Sequence, residues 1–347
     1  MSDYPDILNN GRRSVFPERL QVALDTFASD LISGRVSVGL VMLIVDQLSR
    51  LPVETVARAE QEMPVRAGLY RGAWDDDGYI PPKQLDRLKS TDCLEYIFLF
   101  HRNGHLREAA LHKMDGIMPS AFFFAAVAYR LNDWVLPVRR AAFQCAMRMF
   151  LETNSEIVTT AAMSLLMRKR LWTRGKAETV IIDEVFSRTE VLERFVERLL
   201  TTEQGPLGRI LIAALSDNRI DAYLPVLARK ARRADVRSVA LRALVKEEAR
   251  WPEGLERKWI DKSMGQYRLV SSYNSRFLTI TEPVAQLIVL GSLDKVATVR
   301  KVAMQALVDA PDLWPDMKSV IERFAIDRSA AVRTGANYIL RHQTENG

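Results

Sequence analysis

The chain has 347 residues, 48% of them hydrophobic and 27% charged, with 49 Lys and Arg against 43 Asp and Glu for a formal net charge of +6. So much apolar side chain excludes a disordered polymer, and two cysteines exclude a disulfide-stapled domain. The length allows two conventional domains or one elongated array, because single cores stop growing near ~250–300 residues.

In chain order, Met1 to Asp6 lack the basic run and apolar stretch of a secretory signal. Phe16 to Leu31, Val36 to Leu51 and Val53 to Met63 read as helices, the first with Leu20, Leu24, Phe27 and Leu31 at helical spacing. The apolar run Val36 to Val45 falls short of the ~20 residues that cross a bilayer, so no membrane partner is expected. Gly68 to Pro82, with Trp74, Asp75-Asp76-Asp77 and Pro81-Pro82, reads as an exposed acidic loop at the end of a first region, residues 1–90. It lacks the closing glutamate of a calcium loop.

His101, His105 and His112 cluster downstream of Cys93, but Asn103-Gly104 interrupts the helix that would align the imidazoles, and no metal is expected. Cys93 and Cys145 are isolated thiols, which suits a reducing compartment and makes the cytoplasm the expected location. Phe122, Phe123 and Phe124 cannot all face one way on a helix, so at least one is expected to be exposed or at a seam between repeats.

Beyond residue 90 a short motif recurs: Val138-Arg139-Arg140-Ala141, Val236-Arg237-Ser238-Val239-Ala240, Val299-Arg300-Lys301-Val302-Ala303 and Val332-Arg333-Thr334-Gly335, with a weaker Leu106-Arg107-Glu108-Ala109. The arginines at 107, 139, 237, 300 and 333 are separated by 32, 98, 63 and 33 residues, close to one, three, two and one multiples of a common length. A period near ~33 accommodates two short helices and two turns. This count predicts further, weaker repeats near 160–215 and 250–275. Another apolar helix precedes several of these arginines, as at Ile220 to Ala231, Val284 to Leu290 and Met317 to Ile326, and stacked hairpins would bury both stripes.

These motifs resemble the HEAT-repeat family, whose second helix opens with an acidic residue, an apolar residue and Arg, followed by small residues. Asp235-Val236-Arg237 carries the whole pattern; Arg139, Arg300 and Arg333 carry it from the valine onward, with Asp294 and Asp327 a few residues upstream. The resemblance implies an all-α fold: a right-handed α-solenoid of HEAT-like helical hairpins over residues 91–347, capped by helices in residues 1–90. It also implies a ladder of Asp–Arg pairs between neighbouring repeats. Helical periodicity reads independently as all-α, with few strand-like segments.

No glycine-rich phosphate loop, Gly-x-Ser-x-Gly elbow or His-Glu-x-x-His helix is present, so a protein without enzymatic activity or cofactor is expected. One enzymatic alternative follows from the resemblance. Some DNA-repair glycosylases are built from HEAT-like repeats and use an Asp near tryptophans, and Asn132-Asp133-Trp134 is the local match.

Charge is more informative. Arg229 to Lys301 holds sixteen basic and eight acidic residues, a local +8 that leaves −2 for the rest of the chain. A second cluster, Arg168, Lys169, Arg170, Arg174 and Lys176, flanks Trp172. The candidate binding residues are Arg168, Lys169, Arg170, Trp172, Arg229, Arg232, Arg233, Tyr273 and Arg276, with Trp251, Trp259 and Tyr267 as further stacking surfaces. Met264 to Thr281 departs from the period and is a candidate specificity loop. The expected function is a scaffold that docks a protein with an acidic surface in a curved basic groove; nucleic acid on the basic repeats is the alternative.

Overall fold

The computed structural model describes residues 13–70, 82–175 and 177–345; Asp75-Asp76-Asp77 and Lys176 lie outside the described residues. It is 65% helix, with eighteen α-helices and one two-stranded sheet among the described residues. No helix among them is long and apolar enough to cross a membrane. The chain divides into two compact units, the first comprising Met1–Leu165 and Trp172–Val191, the second Leu166–Leu171 and Leu192–Gly347.

In the first unit α1 (Glu18–Ser33) packs on α2 (Val38–Ser49) and α3 (Val56–Arg66). There follow α4 (Pro82–Ser90), α5 (Leu94–Phe98), α6 (Gly104–Lys113), α7 (Ala121–Arg130), α8 (Leu136–Met149), α9 (Ser155–Lys169, its last turn assigned to the second unit) and α10 (Val180–Phe186). Short polar side chains start several of these helices by accepting an otherwise unpaired N–H: Ser37 from Leu40, Asn103 from His105 and Ser120 from Phe123. Helices α5/α6 and α7/α8 form hairpins, with α6 against α8 and α8 against α10.

Helix α7 is enclosed on every side. Phe122, Phe123 and Phe124 are all buried, so none of the three is exposed; the rings diverge to different neighbours. Phe122 meets Phe100, Phe123 sets its edge against Tyr96, and Phe124 stacks on Phe150 with centroids 3.8 Å apart.

The second unit continues with α11 (Thr189–Thr201, its first residues assigned to the first unit), α12 (Leu207–Ala214), α13 (Leu224–Lys230) and α14 (Ala234–Lys246). Two strands intervene, β1 (Glu248–Asp261) and β2 (Gln266–Phe277), before α15 (Val284–Ser292), α16 (Ala297–Asp309), α17 (Lys318–Ala325) and α18 (Ala330–Glu345). The hairpins α13/α14, α15/α16 and α17/α18 follow one another, with α12, α14, α16 and α18 packed in series and α15 against α17. Glycines set the spacing. A Cβ on Gly291 would lie 2.6 Å from Ala303 Cβ and 2.7 Å from Leu241, and one on Gly335 would lie 2.8 Å from Met304.

Three of the five recurring arginines, Arg107, Arg237 and Arg300, share one arrangement, while Arg139 and Arg333 keep the contacts to carbonyls behind them without the paired aspartate. Arg300 donates through Nε and Nη2 to both oxygens of Asp327 at 2.6 and 2.8 Å, and through Nη1 to the carbonyls of Asp294 and Lys295, six and five residues back. Arg237 repeats this with Asp294 and the carbonyls of Ala231 and Arg232, and Arg107 with Asp133 and those of His101 and Arg102. Each aspartate also accepts the N–H two residues on, from Val135, Val296 or Ser329, just before the following helix begins. One guanidinium thus closes the turn of its own hairpin and clamps the turn of the next.

This ladder corrects the repeat count. The Arg-to-Asp step is 26 residues at 107–133, 27 at 300–327 and 57 at 237–294. The excess of 30 equals the length of the segment Glu248–Phe277, which is an antiparallel β-hairpin. The 63 residues from Arg237 to Arg300 are therefore one repeat plus an insertion, not two repeats, and no helical repeat exists at 250–275. The insertion is invisible in the arginine spacing because its length nearly equals the period.

Asp133, Asp294 and Asp327 hold carboxyls below the ordinary range. At Asp133 and Asp294 burial opposes ionisation but donors and charge from arginine outweigh it; at Asp327 the Arg300 hydrogen bonds dominate. Their contribution is complete above the unfolded value of ~3.9 and is lost only as pH falls below it. His101 acts at milder pH. Burial, then the charge of Arg107, lowers its pKa from 6.5 to about 3. As pH falls below ~6.5 the unfolded chain binds a proton that the folded chain refuses, so stability declines by up to ~1.4 kcal/mol per pH unit. Urea unfolding between about pH 7.5 and about pH 4.5 is expected to show that slope in the first unit, and His101→Asn is expected to flatten it.

Candidate binding surface

Most arginines singled out by charge are engaged in the protein's own structure. Arg229 pairs with Glu282 at 2.7 Å, Arg232 with Glu203 at 3.0 Å and Arg233 with Asp235 at 3.0 Å. Arg276 donates to both oxygens of the fully buried Asp221 at 2.8 and 2.7 Å and to the carbonyls of Leu215 and Asp217. Thr279 adds its N–H and hydroxyl to the same carboxylate. Burial opposes ionisation of Asp221, yet these donors hold its carboxyl below the ordinary range. Arg276 is thus the fastener of the β-hairpin's base, not a free cation.

Arg168 and Lys169 end α9, and Arg170 Nε donates to the Met167 carbonyl at 3.0 Å. Trp172 is half-buried in the first unit, edge-on to Tyr129. Asp133, the residue of the glycosylase alternative, is 5% exposed and accepts four hydrogen bonds, from Arg107 Nε and Nη2, Arg130 Nη1 and the Val135 N–H. All four lone-pair directions of that carboxylate are filled by protein. His101 lies buried ahead of α6 and accepts the Asn103 N–H, while His105 and His112 lie on α6. Among the described residues no three His, Cys, Asp or Glu are grouped to hold a metal.

The cations left over lie elsewhere. A groove of about 1010 Å³ in the second unit is lined by Arg242 and Lys246 of α14 and by Lys301 and Gln305 of α16. Each pair is four residues apart, so each forms a stripe on one helix face, and α14 packs on α16. Among the described residues none of these three cations has an ion-pair partner. The carboxylates of the lining are Glu248, Asp309 and Asp312, of which Asp309 accepts the Gln305 amide at 2.9 Å.

The β-hairpin begins at this groove, with Glu248 in its lining. Its turn is built locally: Asp261 Oδ1 accepts the N–H groups of Ser263 and Met264 and the Ser263 hydroxyl, and Gly265 takes φ +66°. Cross-strand register puts Leu255 opposite Ser271, Arg257 opposite Leu269 and Trp259 opposite Tyr267 on one face; beyond an irregularity at Pro252/Gly254, Pro252 opposite Tyr273 continues it. The Arg257 guanidinium lies 4.7 Å from the Tyr267 ring centre, and that of Arg250 lies 4.7 Å from Tyr273. Lys258 faces Arg268 directly on the opposite side. Trp259 and Tyr267, 45% and 43% exposed, meet edge to face.

Of the residues proposed from sequence, Tyr273 therefore belongs to an exposed surface, Arg276 is held by buried Asp221, and Arg229, Arg232 and Arg233 form partly or largely exposed ion pairs within the chain. Arg242, Lys246 and Lys301 belong to the basic stretch but were not singled out; the four-residue spacing of Arg242 and Lys246 was the available signal. No family model, curated protein or solved structure matches this chain.

Removing Arg276 would strand a buried carboxylate, so Arg276→Ala is expected to destabilise the second unit by about 3–5 kcal/mol, with much of the loss recovered in Arg276→Ala/Asp221→Asn. The exposed Tyr273→Ala is expected to change stability by less than about 0.5 kcal/mol. Urea denaturation of the three variants checks both.

Proposed function

We propose that this protein is a non-enzymatic scaffold of HEAT-like helical hairpins whose second unit binds nucleic acid. The arginine ladder and the serial packing of the hairpins support the HEAT-like reading within each unit. The observation that carries the ligand class is the distribution of charge after internal pairing. Of the sixteen cations between Arg229 and Lys301, six (Arg229, Arg232, Arg233, Arg237, Arg276 and Arg300) are spent on carboxylates of the protein. Ten remain, against five carboxylates of the segment outside such pairs: Glu247, Glu248, Glu253, Glu256 and Asp261.

Eight of the ten cations lie on the groove or the hairpin, where Glu248, Glu253, Glu256 and Asp261 and the groove's Asp309 and Asp312 oppose them, so the excess there is two and the groove lining itself holds three cations and three carboxylates. Phosphates lying along the groove would be neutralised by Arg242, Lys246 and Lys301, releasing condensed counterions. The same charge would attract an acidic protein segment, the partner first expected from sequence. Nucleic acid is favoured because aromatic rings and guanidinium planes share one exposed face beside the groove, a combination that matches bases and phosphates together.

Affinity for random-sequence DNA is expected to fall with salt, with a log–log slope of about −0.7 to −0.9 per phosphate contacted. The triple variant Arg242→Ala/Lys246→Ala/Lys301→Ala is expected to make that slope shallower by about 2–3. Absence of DNA binding at low salt, with tight binding of polyglutamate, would transfer the site to an acidic protein.

A further inference from the structure

We infer that the aromatic face of the β-hairpin is a stacking platform for unpaired bases, so that the preferred ligand is single-stranded. This rests on the reading that the second unit binds nucleic acid, and specifies which form.

Trp259, Tyr267 and Tyr273 stand 45%, 43% and 54% exposed, with Leu255 and Leu269 at 57% and 58% beside them. Alternation places all five on one face, and the six residue steps from Tyr267 to Tyr273 extend it over ~20 Å. A two-stranded hairpin gains little stability from presenting rings to water. Arg250 and Arg257 hold their guanidinium carbons 4.7 Å from the ring centres of Tyr273 and Tyr267, so the face offers both π surfaces and positive charge.

The carboxylates of the hairpin avoid this platform. Glu248 is at the base in the groove, Glu253 in the irregularity, Glu256 on the other face and Asp261 in the turn. Between Arg250 and Trp259 and between Tyr267 and Ser275 the face therefore carries two cations and no anion. Lys258 opposite Arg268 is a like-charge pair, unfavourable in an isolated hairpin and relieved by a phosphate chain passing its edge.

Base faces are what this surface matches, and a duplex keeps them stacked inside. A single strand can lay its bases on the rings while its phosphates meet the arginines. The groove cations would serve either form, so the platform is what discriminates.

The test uses the full chain, with fluorescence anisotropy on oligothymidine of about 12 nucleotides, a mixed-sequence duplex of the same length, and phosphatidylserine vesicles by sedimentation. The wild type is expected to bind the single strand more tightly than the duplex. Trp259→Ala/Tyr267→Ala/Tyr273→Ala is expected to weaken single-strand binding at least about fivefold per base stacked, with duplex binding and the unfolding midpoint unchanged. Trp259→Phe/Tyr267→Phe/Tyr273→Phe is expected to restore single-strand binding. The inference is overturned if the alanine variant keeps wild-type affinity for oligothymidine, if the duplex is preferred, or if the alanine variant loses only vesicle binding, which would make the face a lipid contact. Failure of the wild type to bind any nucleic acid would instead remove the parent reading.

Discussion

A guanidinium near the start of the second helix of a hairpin carries five N–H donors, and Arg107, Arg237 and Arg300 commit four of them identically. Two satisfy carbonyls in the turn behind, which a tight interhelical connection would otherwise leave unpaired. Two hold the aspartate of the next hairpin in the only geometry a planar fork accepts. Lysine could supply the charge but not the four directions. The arrangement fixes how consecutive hairpins meet, and the small residues at Gly291 and Gly335 follow from it, since helices held so closely leave no room for a side chain there.

The same constraint explains why the β-hairpin is tolerated. The main chain leaves α14 at Glu247 and returns at Leu278, whose N–H donates to the Glu247 carbonyl at 2.9 Å. The two ends of the insertion thus meet, and Arg237 still reaches Asp294 on the far side of it. Arg276 and Asp221 secure its base to the turn ahead of α13. Positive charge in this region consequently has two destinies. Arginines with a carboxylate waiting in the fold become structure, and cations without one, on α14, α16 and the hairpin, become surface.

How much of this could be read from the sequence varied by residue. The Val-Arg motif was legible because the guanidinium's task admits no other side chain, and small residues after it marked a helix packed closely. The aspartate partners were less so: only Asp235 stands in the motif, and it serves Arg233 and Gly208 instead of the ladder. Charge runs do not announce their partners. Glu203 and Asp221 lie 29 and 55 residues from Arg232 and Arg276, so those arginines looked free until the chain was folded. The hairpin did leave a trace, in the two-residue alternation of Tyr267, Leu269, Ser271 and Tyr273 and in Asp261 ahead of Gly265. A repeat count that closed numerically hid it. Burial of Phe122, Phe123 and Phe124 depended on helices packing around α7 from several sides, which neighbouring letters cannot reveal.

In the second unit the Arg237–Asp294 and Arg300–Asp327 pairs form a ladder between helical hairpins, and the β-hairpin is inserted into it without being part of it. Replacing residues 251–274 with an Asn-Gly turn leaves the Arg276–Asp221 clamp in place and tests this directly. Equilibrium urea unfolding of the shortened chain should give a single cooperative transition for the second unit, with stability within about 1 kcal/mol of the parent, as for removal of exposed residues. A shortened chain that fails to fold, or whose second unit loses most of its stability, would mean that the strands are integral to the helical stack and that the ladder does not bridge them.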